Sequence, residues 1–121
     1  MIRKVAFTLY PVRDMAAARA FYEVKLGLVT TASDTSRWVE YDLPGGGCFA
    51  ITTVLPDHPP GASAGGVIAF EVDHIETLVA SLREQGVRLG ADALIEGPHC
   101  RMMPIFDPDG NSLILHQLDR T

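Results

Sequence analysis

The chain is short of positive charge, of cysteine and of long apolar runs, and each shortage removes a class of function. Ten Lys and Arg against fifteen Asp and Glu leave a formal charge of -5. That balance argues against nucleic acid, whose phosphates draw a basic face. No apolar run reaches membrane-spanning length. Met1-Ile2-Arg3-Lys4 leads straight into a strand-like pattern without the apolar centre of a signal peptide. Neither a membrane partner nor export is expected, and a cytoplasmic location is the default. Cys48 and Cys100 lack metal-site spacing and read as reduced thiols. Against these absences, 121 residues at 47% hydrophobic content suffice for one domain over residues 1–121 with a real core.

The pattern along the chain is a strand, a helix and three strands, and then it restarts. Val5 to Val12 alternates as a strand. Asp14 is placed to cap a helix on which Met15, Ala18, Tyr22 and Leu26 recur at helical spacing, with Gly27 as its stop. Short strands follow over Leu28–Ala32, Arg37–Leu43 and Cys48–Val54, joined by the turns Ser33–Ser36 and Pro44–Gly47. The glycines of Pro44-Gly45-Gly46-Gly47 read as turn residues, because no helix follows to hold a phosphate. Residues 55–66 are rich in Pro, Gly, Ala and Ser and read as a linker, with His58 as a solvated loop residue. Module one is therefore 1–54 and module two 67–121.

In the second module Val67–Val72 is a strand. Asp73-His74-Ile75-Glu76 predicts a capping box, with Asp73 at the cap, ahead of a helix bearing Ile75, Leu78, Val79 and Leu82. Val87–Ile95 is a strand broken by Gly90, Glu96–His99 a loop and Arg101–Phe106 a strand. Asp107-Pro108-Asp109-Gly110 is a turn into a final strand, Ser112–Leu118. Asp107, Asp109 and Asn111 imitate the start of a calcium loop, but the twelfth position is Leu118 rather than Glu, so the turn reading wins. Repetition of one supersecondary unit organises the whole chain. One helix per unit covers one sheet face, for which Tyr10, Val39, Tyr41, Ile68, Phe70, Val72 and Phe106 are suited.

This layout resembles the vicinal oxygen chelate superfamily of glyoxalase I, extradiol dioxygenases and the fosfomycin and bleomycin resistance proteins. The resemblance is carried by Pro11–Met15, Ala20-Phe21-Tyr22, Leu26-Gly27-Leu28, Ile68–Asp73 and Asp107–Asn111, in order and nearly end to end. It implies an α+β fold of two βαβββ modules whose mixed sheets curl into a cup, and homodimers with pockets near module or subunit interfaces. It also implies that metal-dependent members carry His, Gln or Glu at positions matching Phe7, Ala50, Val67 and Ile114. All four are apolar here, so no metal and no cofactor is expected.

Strand alternation then assigns the cup lining. Phe7, Leu9, Thr52, Val67, Met103 and Ile114 form its walls, together with Ala50, Ala69 and Ile105. Trp38, Glu40, Glu71, Arg101 and His116 are the placed polar or aromatic groups. Trp38 either stacks on a flat ligand or belongs to the core. Arg101 either reads an anionic group or pairs with Glu40 or Glu71. His116 is a general base, a ligand hydrogen-bond donor or a bonded strand-end residue. Cys100 lies beside His99 and Arg101, which could activate its thiol. The expected function is metal-free binding of a small organic ligand, as in the bleomycin resistance branch. The alternatives are a lyase or isomerase using His116 with Glu40 or Arg101, and a metal enzyme with a rearranged site.

Overall fold

The computed structural model describes residues 1, 3, 5–30, 37–54, 58–97 and 99–119. Two sheets carry the fold. In the first, β1 (Thr8–Pro11), β2 (Trp38–Asp42) and β3 (Cys48–Thr52) stand in the order β1-β3-β2. In the second, β4 (Ile68–Glu71), β5 (Ile95–Gly97), β6 (Cys100–Phe106) and β7 (Ser112–Leu118) stand in the order β4-β7-β6-β5. Each sheet is mixed: β1 runs parallel to β3 and β4 parallel to β7, while the other pairs are antiparallel. The fold is α+β, as expected.

Helix α1 (Met15–Arg19) is capped as the sequence predicts, Asp14 Oδ1 accepting from the Ala17 N–H at 3.1 Å. It continues as a π-helix over Ala20–Lys25. Adjacent Phe21 and Tyr22 on it are both buried, at 2% and 0% exposure. Gly27, at φ +79°, ends it where a side chain would be strained.

Helix α2 (Ile75–Glu84) departs from the predicted capping box. Its cap residue is His74, and no cap side chain bonds the first turn. The Ile75 N–H instead donates to Gln117 Oε1 of β7 at 2.7 Å. Glu76 is drawn away to Arg101 of β6. A partner from another strand thus serves the first turn.

Two expected strands shrink. Of Leu28–Ala32, Thr30 makes one bridge to Tyr41, and Thr31 and Ala32 lie outside the described residues, as does the turn Ser33–Ser36. Of Val87–Ile95, Leu89 bridges Ile105, and the strand proper lies later, at Ile95–Gly97. Gly90 lies close against β6: its N–H donates to the Pro104 carbonyl at 2.8 Å, and a Cβ there would stand 2.8 Å from Pro104 Cβ. Glu96 and Gly97, predicted as loop, pair with Arg101 and Cys100 instead.

The core lies where the helices cover the sheets. Val39, Tyr41, Phe49 and Ile51 from the first sheet and Met103, Ile105, Leu113 and Leu115 from the second are buried. Phe49 meets Phe70 edge-on at 5.4 Å, joining the two halves. Edge strands β1 and β4 are linked through Tyr10. Its hydroxyl accepts the Ile68 N–H at 2.7 Å and donates to the Ser112 carbonyl at 2.8 Å.

The closing turn is the second stitch. Asp107 Oδ1 accepts the N–H groups of Asp109 and Asn111, each at 2.9 Å, and Oδ2 accepts from the Tyr22 hydroxyl at 2.8 Å. Asn111 Nδ2 donates to Asp107 and to the Pro11 carbonyl, while its Oδ1 accepts the Gly61 N–H. The acceptors of Asp107 and Asn111 are consumed in holding helix, strand and linker together. Burial first, then the Asp107 charge, pushes the Tyr22 hydroxyl well above the usual phenol range, so it stays a donor.

Candidate functional site

The helices cover one face of each sheet and leave the other open. On the first sheet the register pairs Trp38 with Thr52, Glu40 with Ala50 and Leu9 with Ala50, so these residues share the open face as expected. The Trp38 indole N–H donates to Glu40 Oε2 at 2.8 Å, and Phe7 meets the Trp38 ring edge-on at 5.7 Å. Ala50 and Thr52 are almost fully covered, at 0% and 1% exposure. Thr52 Oγ1 donates to the Arg37 carbonyl at 2.7 Å, so its hydroxyl serves the strand end.

On the second sheet Ala69 pairs with Ile114 and Glu71 with His116, again on the open face. Here β6 corrects the predicted parity. Met102 pairs with His116 and Pro104 with Ile114, so the open face carries Met102, Pro104 and Phe106. Arg101, Met103 and Ile105 point to the helix side, and Phe106, expected there, does not. Met103 and Ile105 are fully buried. Arg101 donates to Glu76 of α2, not to Glu40 or Glu71. The run Arg101-Met102-Met103-Pro104-Ile105-Phe106 is apolar on both parities after its first residue. It offers no alternation from which to read a face.

A cleft of about 350 Å³ separates the facing edges of β1 and β4. Leu9, Val67 and Ala69 line it, with Gly61, Ala62, Ala64, Gly65 and Gly66 of the linker along one side and Asn111 and Ser112 at the end. Leu9 and Ala69 also belong to the two open faces, so the cleft connects them.

His116 finds a partner the sequence did not single out. Its Nδ1 lies 2.6 Å from Glu71 Oε1, and Glu71 Oε2 accepts the Leu118 N–H at 2.8 Å. Glu71 and His116 are 45 positions apart, and only the parallel β4–β7 register brings them opposite. Glu40, the other expected partner, is bonded to Trp38. Neither thiol suits nucleophilic work: burial raises the Cys48 pKa, favouring the unreactive thiol, and Cys100 is buried at 8% exposure.

Phe7, Ala50, Val67 and Ile114, the positions that the resemblance matches to metal donors, have no lone pair to offer. Among the described residues, no three His, Cys, Asp or Glu side chains gather where they could hold a metal ion. The donor set does not fit the metal chemistry of the fold.

A family model described as Glyoxalase/Bleomycin resistance protein/Dioxygenase superfamily matches residues 4–115. Among solved structures, the chain is similar to TnmS3, an antibiotic binding protein from Streptomyces sp. CB03234, at 27% identity and TM-score 0.82, with 98% of each chain covered. It is likewise similar to a glyoxalase/bleomycin resistance protein from Streptomyces sp. CB03234, at 27% identity and TM-score 0.77, over 94% of this chain and 100% of the other. A glyoxalase/dioxygenase from Nostoc punctiforme shares the fold at 20% identity and TM-score 0.78, over 98% and 92% of the two chains. No curated protein sequence matches.

Proposed function

The chain belongs to the Glyoxalase/Bleomycin resistance protein/Dioxygenase superfamily, and from that premise we propose that it is a metal-free protein that binds a small organic molecule. The ligand lies on the open sheet faces and in the cleft between β1 and β4. One observation carries this reading: the four donor positions are apolar, while the faces around them keep Trp38, Glu40, Glu71 and His116. Apolar walls with a few oriented polar groups are the make-up of a small-molecule site. The description of TnmS3 as an antibiotic binding protein supports a ligand of that kind, flat enough to lie on the Trp38 ring. The working unit is a cytoplasmic homodimer. Phe7 and Val67, 42% and 51% exposed, are the apolar groups a second copy or a ligand would cover.

Trp38 is the chain's one tryptophan, so its fluorescence reports on the site directly. Titration with a panel of polycyclic aromatic antibiotics is expected to quench it saturably. Leu9→Arg, which places a charge in the cleft, is expected to weaken binding at least tenfold with circular dichroism unchanged, a loss of about 1.4 kcal/mol or more. Absence of quenching across the panel at millimolar concentration would overturn the proposal. A lyase or isomerase is the second reading, favoured by the Glu71–His116 pair rather than by His116 with Glu40 or Arg101. Turnover that survives His116→Ala would remove it.

A further inference from the structure

We propose that Glu71 and His116 form a reader for a weakly acidic hydroxyl group, such as a phenol or enol, on the bound molecule. The inference rests on the binding function above and names the ligand chemistry of that site. A carboxylate can only accept hydrogen bonds, so the 2.6 Å contact to Glu71 requires the proton on His116 Nδ1. Glu71 is itself fixed, its second oxygen accepting the Leu118 N–H. The imidazole is therefore held in one tautomer, with the Nε2 lone pair available. Nε2 has no partner among the described residues. The ring is 27% exposed, with Ile114 beside it on β7 and Met102 opposite on β6.

A carbonyl or ether oxygen would oppose that lone pair with another. A permanently anionic group would meet the Glu71 charge, and the Arg101 guanidinium faces the other side of the sheet. An ionisable hydroxyl suits the site in both of its states. As the neutral group it donates to Nε2. As the anion it pairs with the imidazolium left when its proton moves to Nε2, which Glu71 stabilises. The apolar neighbours accept the ring that carries the hydroxyl.

Two measurements test this. Long-range 15N–1H NMR of the histidines, with His116 assigned by loss of its signals in His116→Phe, is expected to show Nδ1 protonated and Nε2 bare in the neutral ring. Glu71→Ala, which removes the acceptor, is expected to return the ring to the Nε2-protonated form, a change that a merely structural role for Glu71 would not produce. A wild-type neutral ring protonated at Nε2 would overturn the proposal. The second measurement compares 4-nitrophenol with its O-methyl ether, 4-nitroanisole, by NMR shift titration. The phenol is expected to bind about tenfold or more tightly, and the gap to close in His116→Phe. Equal binding of the two probes, or a gap that persists in His116→Phe, would overturn the hydroxyl assignment. Quenching of Trp38 by the antibiotic panel would then still stand, because it does not depend on this pair.

Discussion

Asp109 is the residue with the least comfortable surroundings. Its Oδ1 accepts the Arg13 N–H at 3.0 Å, but its Oδ2 is buried with no hydrogen-bond partner. Burial, and then the Asp107 charge, raises its pKa above the ordinary carboxylate value; the Arg13 bond opposes them. The folded chain thus holds this proton more readily than the unfolded chain. Stability falls as pH rises from about 4 through the raised value, and returns on acidification. Asp109→Asn removes the titration. Urea midpoints taken from pH 7 down to about pH 4 are expected to show wild type gaining relative to Asp109→Asn. A difference that stays flat, or runs the other way, would contradict the burial argument. The partners of Asp107 and Asn111 likewise assign the Asp107–Asn111 turn to structure rather than to ligand binding.

Helix α2 shows how an element can borrow its start from elsewhere. Asp73 and Glu76 have the right spacing for a local cap, yet the Ile75 N–H finds Gln117 Oε1 at 2.7 Å. Gln117→Ala is expected to cost about 1 kcal/mol, the usual value of a lost cap, and urea denaturation would read it. Asp73→Ala is expected to cost less. A larger loss for Asp73→Ala would restore the local box. Strand β6 teaches a related lesson. A strand with apolar residues on both faces is placed by the neighbours it pairs with, and a one-residue slip exchanges its faces. Arg101 consequently faces α2, where it pairs with Glu76.

The whole molecule depends on how edges β1 and β4 are held apart and yet together. Tyr10 spans them with two short hydrogen bonds, and the space beside it is the cleft. Tyr10→Phe leaves the Ile68 N–H without its acceptor and is expected to cost about 1–3 kcal/mol. Hydrogen exchange at the Ile68 amide is expected to speed up more than at amides in the centre of either sheet. Unchanged exchange there would mean that the junction is held by the Phe49–Phe70 contact and the Asp107–Asn111 turn without Tyr10.

The periodicities of Met15–Leu26 and Ile75–Leu82, the alternation of Trp38–Tyr41 and the Gly-marked stops carry the repeated unit and the fold in the linear order of residues. They do so because helix and strand repeats are local properties of backbone geometry. That Phe7, Ala50, Val67 and Ile114 are apolar was equally legible, since a side chain without lone pairs is so in any environment. Pairing was not legible. Which residue faces Glu71, which caps α2 and which side of β6 is open each depend on groups brought together from 25 to 45 positions apart. Register is a long-range choice, decided when two sheets and two helices pack at once.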